Sequence, residues 1–224
     1  MKVIIAEKPS VAQQIAAVVG ATARKDGYIE GGGYAVTWAF GHLVGPAMPE
    51  AYGIEGFKRE NLPILPETFV LEPRRVKSGK EYKPDPGAVK QLAVLKKLFS
   101  RAERIVVATD AGREGELIFR FIYHYLYCKT PFDRLWISSL TERAIREGLA
   151  NIRPGSEYDN LYLSARARCE ADWIVGINAS QALAIAAGRG AWSLGRVQTP
   201  TLALVCGRYL ENTSFTPQTY FRLK

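Results

Sequence analysis

Cysteine, histidine and long apolar runs are all scarce in this sequence, and each scarcity excludes something. Three cysteines, Cys128, Cys169 and Cys206, are odd in number and too widely spaced for either a disulfide framework or a zinc site. They are expected as reduced thiols in a cytoplasmic protein. The two histidines, His42 and His124, cannot by themselves build a metal centre. No apolar run approaches the roughly 20 residues of a membrane helix. The opening Met1–Ala6 stretch is too short for a signal peptide and runs straight into Glu7 and Lys8. No G-x-G-x-x-G or G-x-x-x-x-G-K-[ST] loop follows it, which disfavours the common nucleotide-binding folds. Acidic residues are also the minority: 22 against 30 lysines and arginines, for a net charge of +8 and a pI near 9.4. Such a surface attracts polyanions, nucleic acid first; the plain alternative is a basic soluble protein.

What is present is an ordinary globular balance, 47% hydrophobic and 23% charged in 224 residues, enough for one or two units with real cores. Val3–Ala6 is a buried-strand run, and Pro9-Ser10 opens a helix through about Val19, ended by Gly20. Tyr28–Glu30 and Tyr34–Ala39 flank three glycines and predict a hairpin. Residues 45–87, rich in proline, glycine and charge, are expected as a partly irregular insertion with a strand at Thr68–Leu71. Asp85 and Pro86 start a helix with Val89, Leu92, Leu95 and Phe99 inward. Ile105–Ala108 is a second strand, followed by a helix from Arg113 that buries Leu117, Ile118, Phe121, Ile122 and Tyr125. Leu135–Ile137 is a third strand, and Ser139 with Glu142 has capping-box spacing. Alternating strands and helices predict an α/β fold, a parallel sheet flanked by helices. Asn151–Ser156 reads as a linker. Beyond it the chain is helix-compatible from 158 to 187, Thr199-Pro200 opens another helix, and Tyr220–Lys224 is strand-like. Two domains are expected: 1–154, containing the insertion, and a mainly α-helical segment at 155–224. No repeat or low-complexity tract occurs.

Two acids fall at the carboxyl ends of predicted strands, where open α/β sheets bind ligands: Glu7 and Asp110. Glu114 lies about one turn into the following helix. Three converging carboxylates would suit a hard cation such as Mg²⁺, and crowding raises a carboxyl pKa so that one acid stays protonated as a general acid. An acid at a strand end is also a common helix cap. The run Thr109–Glu116, with three acids and two glycines, makes a poor helix start unless the backbone must approach a ligand closely. Lys8 is either a phosphate clamp or a solvated lysine. Arg113 either holds a phosphate or pairs with Glu114 or Glu116.

These residues resemble a known family. Glu7-Lys8-Pro9-Ser10 after the first strand, with Thr109-Asp110-Ala111-Gly112-Arg113-Glu114-Gly115-Glu116 after a later one, resembles a Toprim domain in the form found in type IA DNA topoisomerases, topoisomerase III in particular. Further stretches resemble the same enzymes: Trp38–Leu43, Asn61–Ile64, Ala171–Asn178 and, most specifically, Ser193-Leu194-Gly195-Arg196-Val197-Gln198-Thr199-Pro200-Thr201. The resemblance implies an ATP-independent enzyme whose tyrosine attacks a single-stranded DNA phosphodiester, with reclosure after strand passage.

By that resemblance, Glu7 is the acid that protonates the leaving oxygen and Lys8 contacts the scissile phosphate. Glu7, Asp110 and Glu114 are implied as ligands of Mg²⁺. Arg113, Arg168, Trp173, Gln181, Ser193, Leu194, Gly195, Arg196, Val197 and Gln198 are implied to line a groove for single-stranded or negatively supercoiled DNA. Trp173 has two readings, stacking on a base or packing in a core, and Thr199 is expected to cap a helix whose N-terminus attracts phosphate. The resemblance departs at Gly112, where the family's D-x-D-x-E pattern has its middle acid; one Mg²⁺ with several waters remains reasonable. None of the eleven tyrosines lies in a T-Y-x-R-T segment, so the nucleophile is expected to lie outside this chain, which would bind DNA without cutting it. The setting implied is a bacterial cytoplasm, at the nucleoid or on plasmids. Rival readings are another Toprim enzyme, a primase or nuclease, or a non-catalytic DNA-binding module.

Overall fold

The computed structural model describes residues 1–79, 81–188, 190 and 192–223. By packing, the chain divides into two units: residues 1–51 with 68–169, and residues 52–67 with 170–224.

The first unit is built on a seven-stranded sheet. Its elements, in chain order with those of the insertion, are β1 (Lys2–Ala6), α1 (Pro9–Val19), β2 (Ala23–Lys25), β3 (Tyr28–Gly31), β4 (Tyr34–Trp38), β5 (Val44–Pro46), β6 (Leu71–Pro73), β7 (Arg75–Ser78), β8 (Glu81–Pro84), α2 (Pro86–Arg101), β9 (Arg104–Ala108), α3 (Arg113–Tyr125), β10 (Phe132–Arg134), α4 (Glu142–Ala150) and β11 (Arg153–Pro154). The sheet order is β11-β10-β9-β1-β4-β3-β2, with β10, β9, β1 and β4 mutually parallel. β11, β3 and β2 run antiparallel to their neighbours at the two edges.

Strand periodicity explains the layering. Along β1, Val3 and Ile5 pack on one face with residues of α2 and α3, while Ile4 and Ala6 pack on the other with α1 and α4. All four are fully buried, which is why the strand reads as an unbroken apolar run rather than an alternation. The expected first helix, hairpin, second strand and third helix all form. In the hairpin the two-residue turn at Gly32-Gly33 takes positive φ at both positions, +58° and +82°, the geometry that matches strand twist and that glycine adopts without strain.

Several expectations are corrected. Within the partly irregular stretch 45–87, β5 pairs β6, β7 pairs β8, and 52–67 pack with the second unit. The strand expected at Thr68–Leu71 lies later, at Leu71–Pro73. Val89 is 45% exposed; the buried side of α2 is Ala88, Gln91, Leu92, Leu95, Leu98 and Phe99. Gln91 takes that place because its amide donates to the carbonyls of Gly27 and Trp38 and to the Thr37 hydroxyl. The third strand lies earlier than expected, at Phe132–Arg134, and Leu135 N–H donates to Val107 O at 2.9 Å just beyond its end. Thr141, not Ser139, caps α4, accepting from Ala144 N–H at 3.3 Å. The linker at 151–156 contains the edge strand β11. Asp85 caps α2 as expected, accepting from Gly87 N–H at 2.8 Å.

His124 on α3 lies in this unit beside Tyr162, with ring centroids 5.5 Å apart. Burial first, then the charges of Arg120 and Arg166, hold its pKa below the usual 6.5. The folded chain therefore refuses a proton that the unfolded chain accepts, so stability falls as pH drops through the histidine range. In His124→Phe the acid-side fall in Tm, recorded by circular dichroism from about pH 7.5 to about pH 5.5, is expected to flatten; the parent slope retained in that variant would refute the assignment.

Two further helices follow in the chain, α5 (Asp159–Ala187) and α6 (Gln198–Thr213). In the second unit Asn178 clasps the main chain of Ile64, its Oδ1 accepting from Ile64 N–H at 2.6 Å and its Nδ2 donating to Ile64 O at 2.9 Å. Two of the sequence stretches singled out above thus meet at one side chain. Residues 215–223 form no strand, and Lys224 lies outside the described residues. No helix among the described residues is long and apolar enough to cross a membrane.

Candidate functional site

At the carboxyl edge of the first unit's sheet, β1 and β9 end level, with Ala6 paired to Ala108. Glu7 and Asp110 emerge side by side from these adjacent parallel strands. The Asp110 N–H donates to Glu7 Oε2 at 3.3 Å. Lys8 Nζ stands 3.2 Å from Asp110 Oδ2 and 3.6 Å from Glu7 Oε1. Its hydrogen bond to Asp110, then the charges of Asp110 and Glu7, hold the ammonium above the usual lysine value. An ammonium held by both carboxylates shows that the pair presents its oxygens to a cation. Hard carboxylate oxygens at this edge fit one divalent cation of the magnesium type, with water filling the rest of its shell.

Glu114 does not join them. Its Oε1 is 2.8 Å from His42 Nε2, and among the described residues no group of three or more acids, histidines or cysteines is placed to hold a metal. His42 is delivered by the segment after β4, which runs along the end of β1: Ala39 N–H donates to Ala6 O at 2.9 Å and Gly41 N–H to Glu7 O at 3.5 Å. Arg74 fixes that segment, donating to the carbonyls of Phe40 and His42 at 3.2 and 3.4 Å while gripping Asp85 at the start of α2. Arg113 is exposed and pairs with neither Glu114 nor Glu116.

Glu116 is turned fully inward, at 1% exposure. Its Oε1 accepts from Arg120 Nε at 2.8 Å, and its Oε2 lies 3.2 Å from Arg134 Nε, an ion contact whose angles fall short of a hydrogen bond. Arg120 also donates to Gly155 O and Asp159 Oδ1. Arg134, equally buried, donates to the carbonyls of Val107, Thr109 and Asp110 at 2.9, 2.8 and 2.7 Å. Desolvation pulls its pKa below the usual arginine value, opposed chiefly by Glu116. The two glycines of the acidic run differ in their roles. A Cβ on Gly112 would meet nothing within 4 Å, whereas on Gly115 it would lie 2.1 Å from Asp110 O. The close approach at Gly115 is therefore to protein backbone and not, as expected, to a ligand. Sequence reading missed His42 as Glu114's partner, Arg134, and Glu116 as an interior ion. The available signal was a Glu116/Arg120 pair four apart on an otherwise apolar helical face.

Arg168 is exposed on α5 within the first unit. Arg113 lies in the first unit too, and the remaining implied groove residues lie in the second. Trp173 is half-buried and edge-on to Tyr52, with centroids 6.0 Å apart. Gln181 is 5% exposed and its Oε1 has no hydrogen-bond partner, so it does not lie on an open surface. The 193–198 segment is knit together: Gln198 Nε2 donates to Ser193 Oγ at 2.6 Å, and Leu194 N–H donates to Ser180 Oγ at 2.9 Å. Arg196 pairs with Asp172 through two nitrogens at 2.8 and 3.3 Å, and the hydrogen bond and charge of Asp172 raise its pKa. Val197 is exposed. Thr199 is not a cap: α6 begins at Gln198, and the Thr199 hydroxyl turns back to accept from Gly195 N–H at 3.1 Å.

A parallel sheet with facing acids on its carboxyl edge is the arrangement of a Toprim domain, and a Toprim family model matches residues 2–140. The chain belongs to that family. A second family model, described as DNA topoisomerase, matches residues 156–224, so the order of the two regions is that of a type IA topoisomerase. Over 224 residues the chain is 47% identical to DNA topoisomerase 3 of Bacillus subtilis, covering 99% of this chain and 29% of that protein. To DNA topoisomerase 3 of Bacillus anthracis it is 46% identical, with the same coverage. Among solved structures, full-length topoisomerase I from Thermotoga maritima matches with a TM-score of 0.61 and 28% identity, over 96% of this chain and 31% of that one. The chain thus spans under a third of the length of the relatives it matches.

Proposed function

We propose that this chain supplies the acidic, metal-binding part of an ATP-independent type IA DNA topoisomerase of the topoisomerase III kind, which cleaves and rejoins single DNA strands to change DNA topology. The observation that carries this reading is the Glu7–Asp110 pair, brought together on adjacent strand ends with Lys8 against both. Glu7, with a side chain only 12% exposed, would trade a proton with a leaving oxygen. Lys8 would contact a phosphate once a cation takes over the carboxylates. Glu7 and Asp110 would hold the Mg²⁺, which neutralises phosphate charge when bound; Glu114 stands by through His42. Arg113 and Arg168 would bind backbone phosphates. In the second unit, Trp173 would meet a base with the exposed part of its ring, and Ser193, Leu194, Gly195, Arg196, Val197 and Gln198 would line the strand's path. Gln181 would act from beneath that surface. The substrate would be single-stranded or negatively supercoiled DNA, met at the nucleoid or on plasmids.

None of the tyrosines lies in the segment that marks the nucleophile, so the chain alone is expected to bind DNA without forming a covalent link. The test is a 3′-labelled single-stranded oligonucleotide with Mg²⁺, quenched in SDS and run on a denaturing gel beside a native gel-shift assay. The expected result is a native shift with no SDS-stable adduct. A labelled adduct would locate a nucleophilic tyrosine within these residues, and the absence of any native shift at low salt would remove the DNA-binding reading.

A further inference from the structure

Arg134 is the largest fully buried side chain among the described residues, and the proposed chemistry leaves it no direct role. It lies at the end of β10, one strand further from β1 than β9. Five N–H donors in a rigid planar fork can bind several acceptors at once. Here they are spent almost entirely on main chain: Val107 O, Thr109 O and Asp110 O. These three carbonyls trace the departure of the chain from β9 into the turn that carries Asp110. The absent side chain of Gly115 lets α3 come within van der Waals range of the Asp110 backbone, and the Thr109 hydroxyl donates to Gly115 O at 2.7 Å. The turn is thus gripped by a guanidinium and seated against the first turn of a helix.

We propose that Arg134 is a positioning residue for Asp110, its three carbonyl bonds setting where the Asp110 carboxylate stands opposite Glu7, with Gly115 as the seat that permits it. Glu116 serves this grip by holding the Arg134 charge in the interior, and Arg120, shared between Glu116, Gly155 O and Asp159, ties the same unit of charge to the start of α5. The consequence for a cation rests on the reading of Glu7 and Asp110 as its ligands; the consequence for the backbone does not.

Two variants separate position from stability. Arg134→Lys keeps a positive charge beside Glu116 but loses the fork, since an ammonium on a flexible stem cannot hold three carbonyls in one plane. Gly115→Ala leaves every charge in place and pushes directly on Asp110 O, the carbonyl that Arg134 holds. Two readouts are taken on the whole chain: Mn²⁺ affinity by electron paramagnetic resonance, and amide hydrogen exchange at residues 109–112, with circular dichroism melts as the check on folding. In both variants Mn²⁺ affinity is expected to drop on the order of tenfold, the lower end for loss of an outer-shell partner, and exchange at Asp110 to accelerate by about the same factor. Unchanged affinity and unchanged exchange in folded Arg134→Lys would overturn the proposal; should that variant not fold, the same result in Gly115→Ala would do so. If the parent chain binds no Mn²⁺, the metal reading fails by itself, and the exchange measurement still decides whether Arg134 positions the turn.

Discussion

Replacing Glu116 with alanine is expected to lower the stability of the first unit by about 3–5 kcal/mol, the loss measured when one partner of a buried ion pair is removed. The reason is what remains. Arg120 and Arg134 are both buried, Arg120 with its guanidinium 4.6 Å from the Phe132 ring centroid and Arg134 at 5.1 Å from that of Trp136. Without the carboxylate these two cations are left with aromatic faces, carbonyls, the half-exposed Asp159 and the weaker charges of Asp110 and Glu7. Glu116→Gln, which keeps the shape and can still accept from Arg120, is expected to fall between alanine and parent. Urea unfolding followed by circular dichroism reads both. A loss of less than about 1 kcal/mol in Glu116→Ala, the scale of an exposed pair, would mean that water reaches the pair and that it is not buried in solution. The i,i+4 pairs on α4, Arg143–Glu147 and Arg146–Glu142, lie on open surface; Glu147→Ala should leave the transition almost where it was.

Asp110→Asn and Glu7→Gln are expected to weaken Mg²⁺ binding more than any other single change. Outer-shell partners alter metal affinity by roughly tenfold to hundredfold, and a direct carboxylate ligand should matter at least as much, on the order of a hundredfold. Both variants conserve volume, and neither carboxylate is part of the core, so Tm should move little. Isothermal titration of Mg²⁺ into each variant gives the answer. The two should behave alike, because the ligands face one site from adjacent strand ends. Glu114→Gln should lose far less, since its carboxylate points to His42 rather than to Asp110. Equal losses for all three would restore the three-acid site that the sequence pattern suggests. Full retention in Asp110→Asn would remove the metal from this edge altogether.

Much of this arrangement is legible in the amino-acid sequence, and the reason is local. The apolar runs Val3–Ala6 and Ile105–Ala108 can only be strands buried on both faces. The turn glycines, the Asp85 cap and the stripe on α3 all depend on neighbours within a few residues. Acids placed just after two such strands reach the ligand-binding edge of a parallel sheet whichever strands lie between, and the resemblance carried by Glu7-Lys8-Pro9-Ser10 and the 109–116 run points the same way. What stays hidden depends on partners distant in sequence. Glu116 reads as one more acid of the run, yet it is an interior ion because Arg134, eighteen positions on, arrives from the next strand. Glu114 reads as a ligand, yet it faces His42, seventy-two positions earlier. Gln181 reads as a groove contact and is buried; Thr199 reads as a cap and turns back to Gly195.

The sequence by itself determined the two central strands, the first hairpin and the helices that flank them, two of the acids at the sheet's edge, and to which family the chain belongs, because periodicity, capping and motif are properties of short stretches. Only the tertiary structure decided which of the charged groups in the 110–116 run faces the site and which the core. Strand order and register choose a charge's partner, and in a low-dielectric interior the partner determines whether the charge can be there at all.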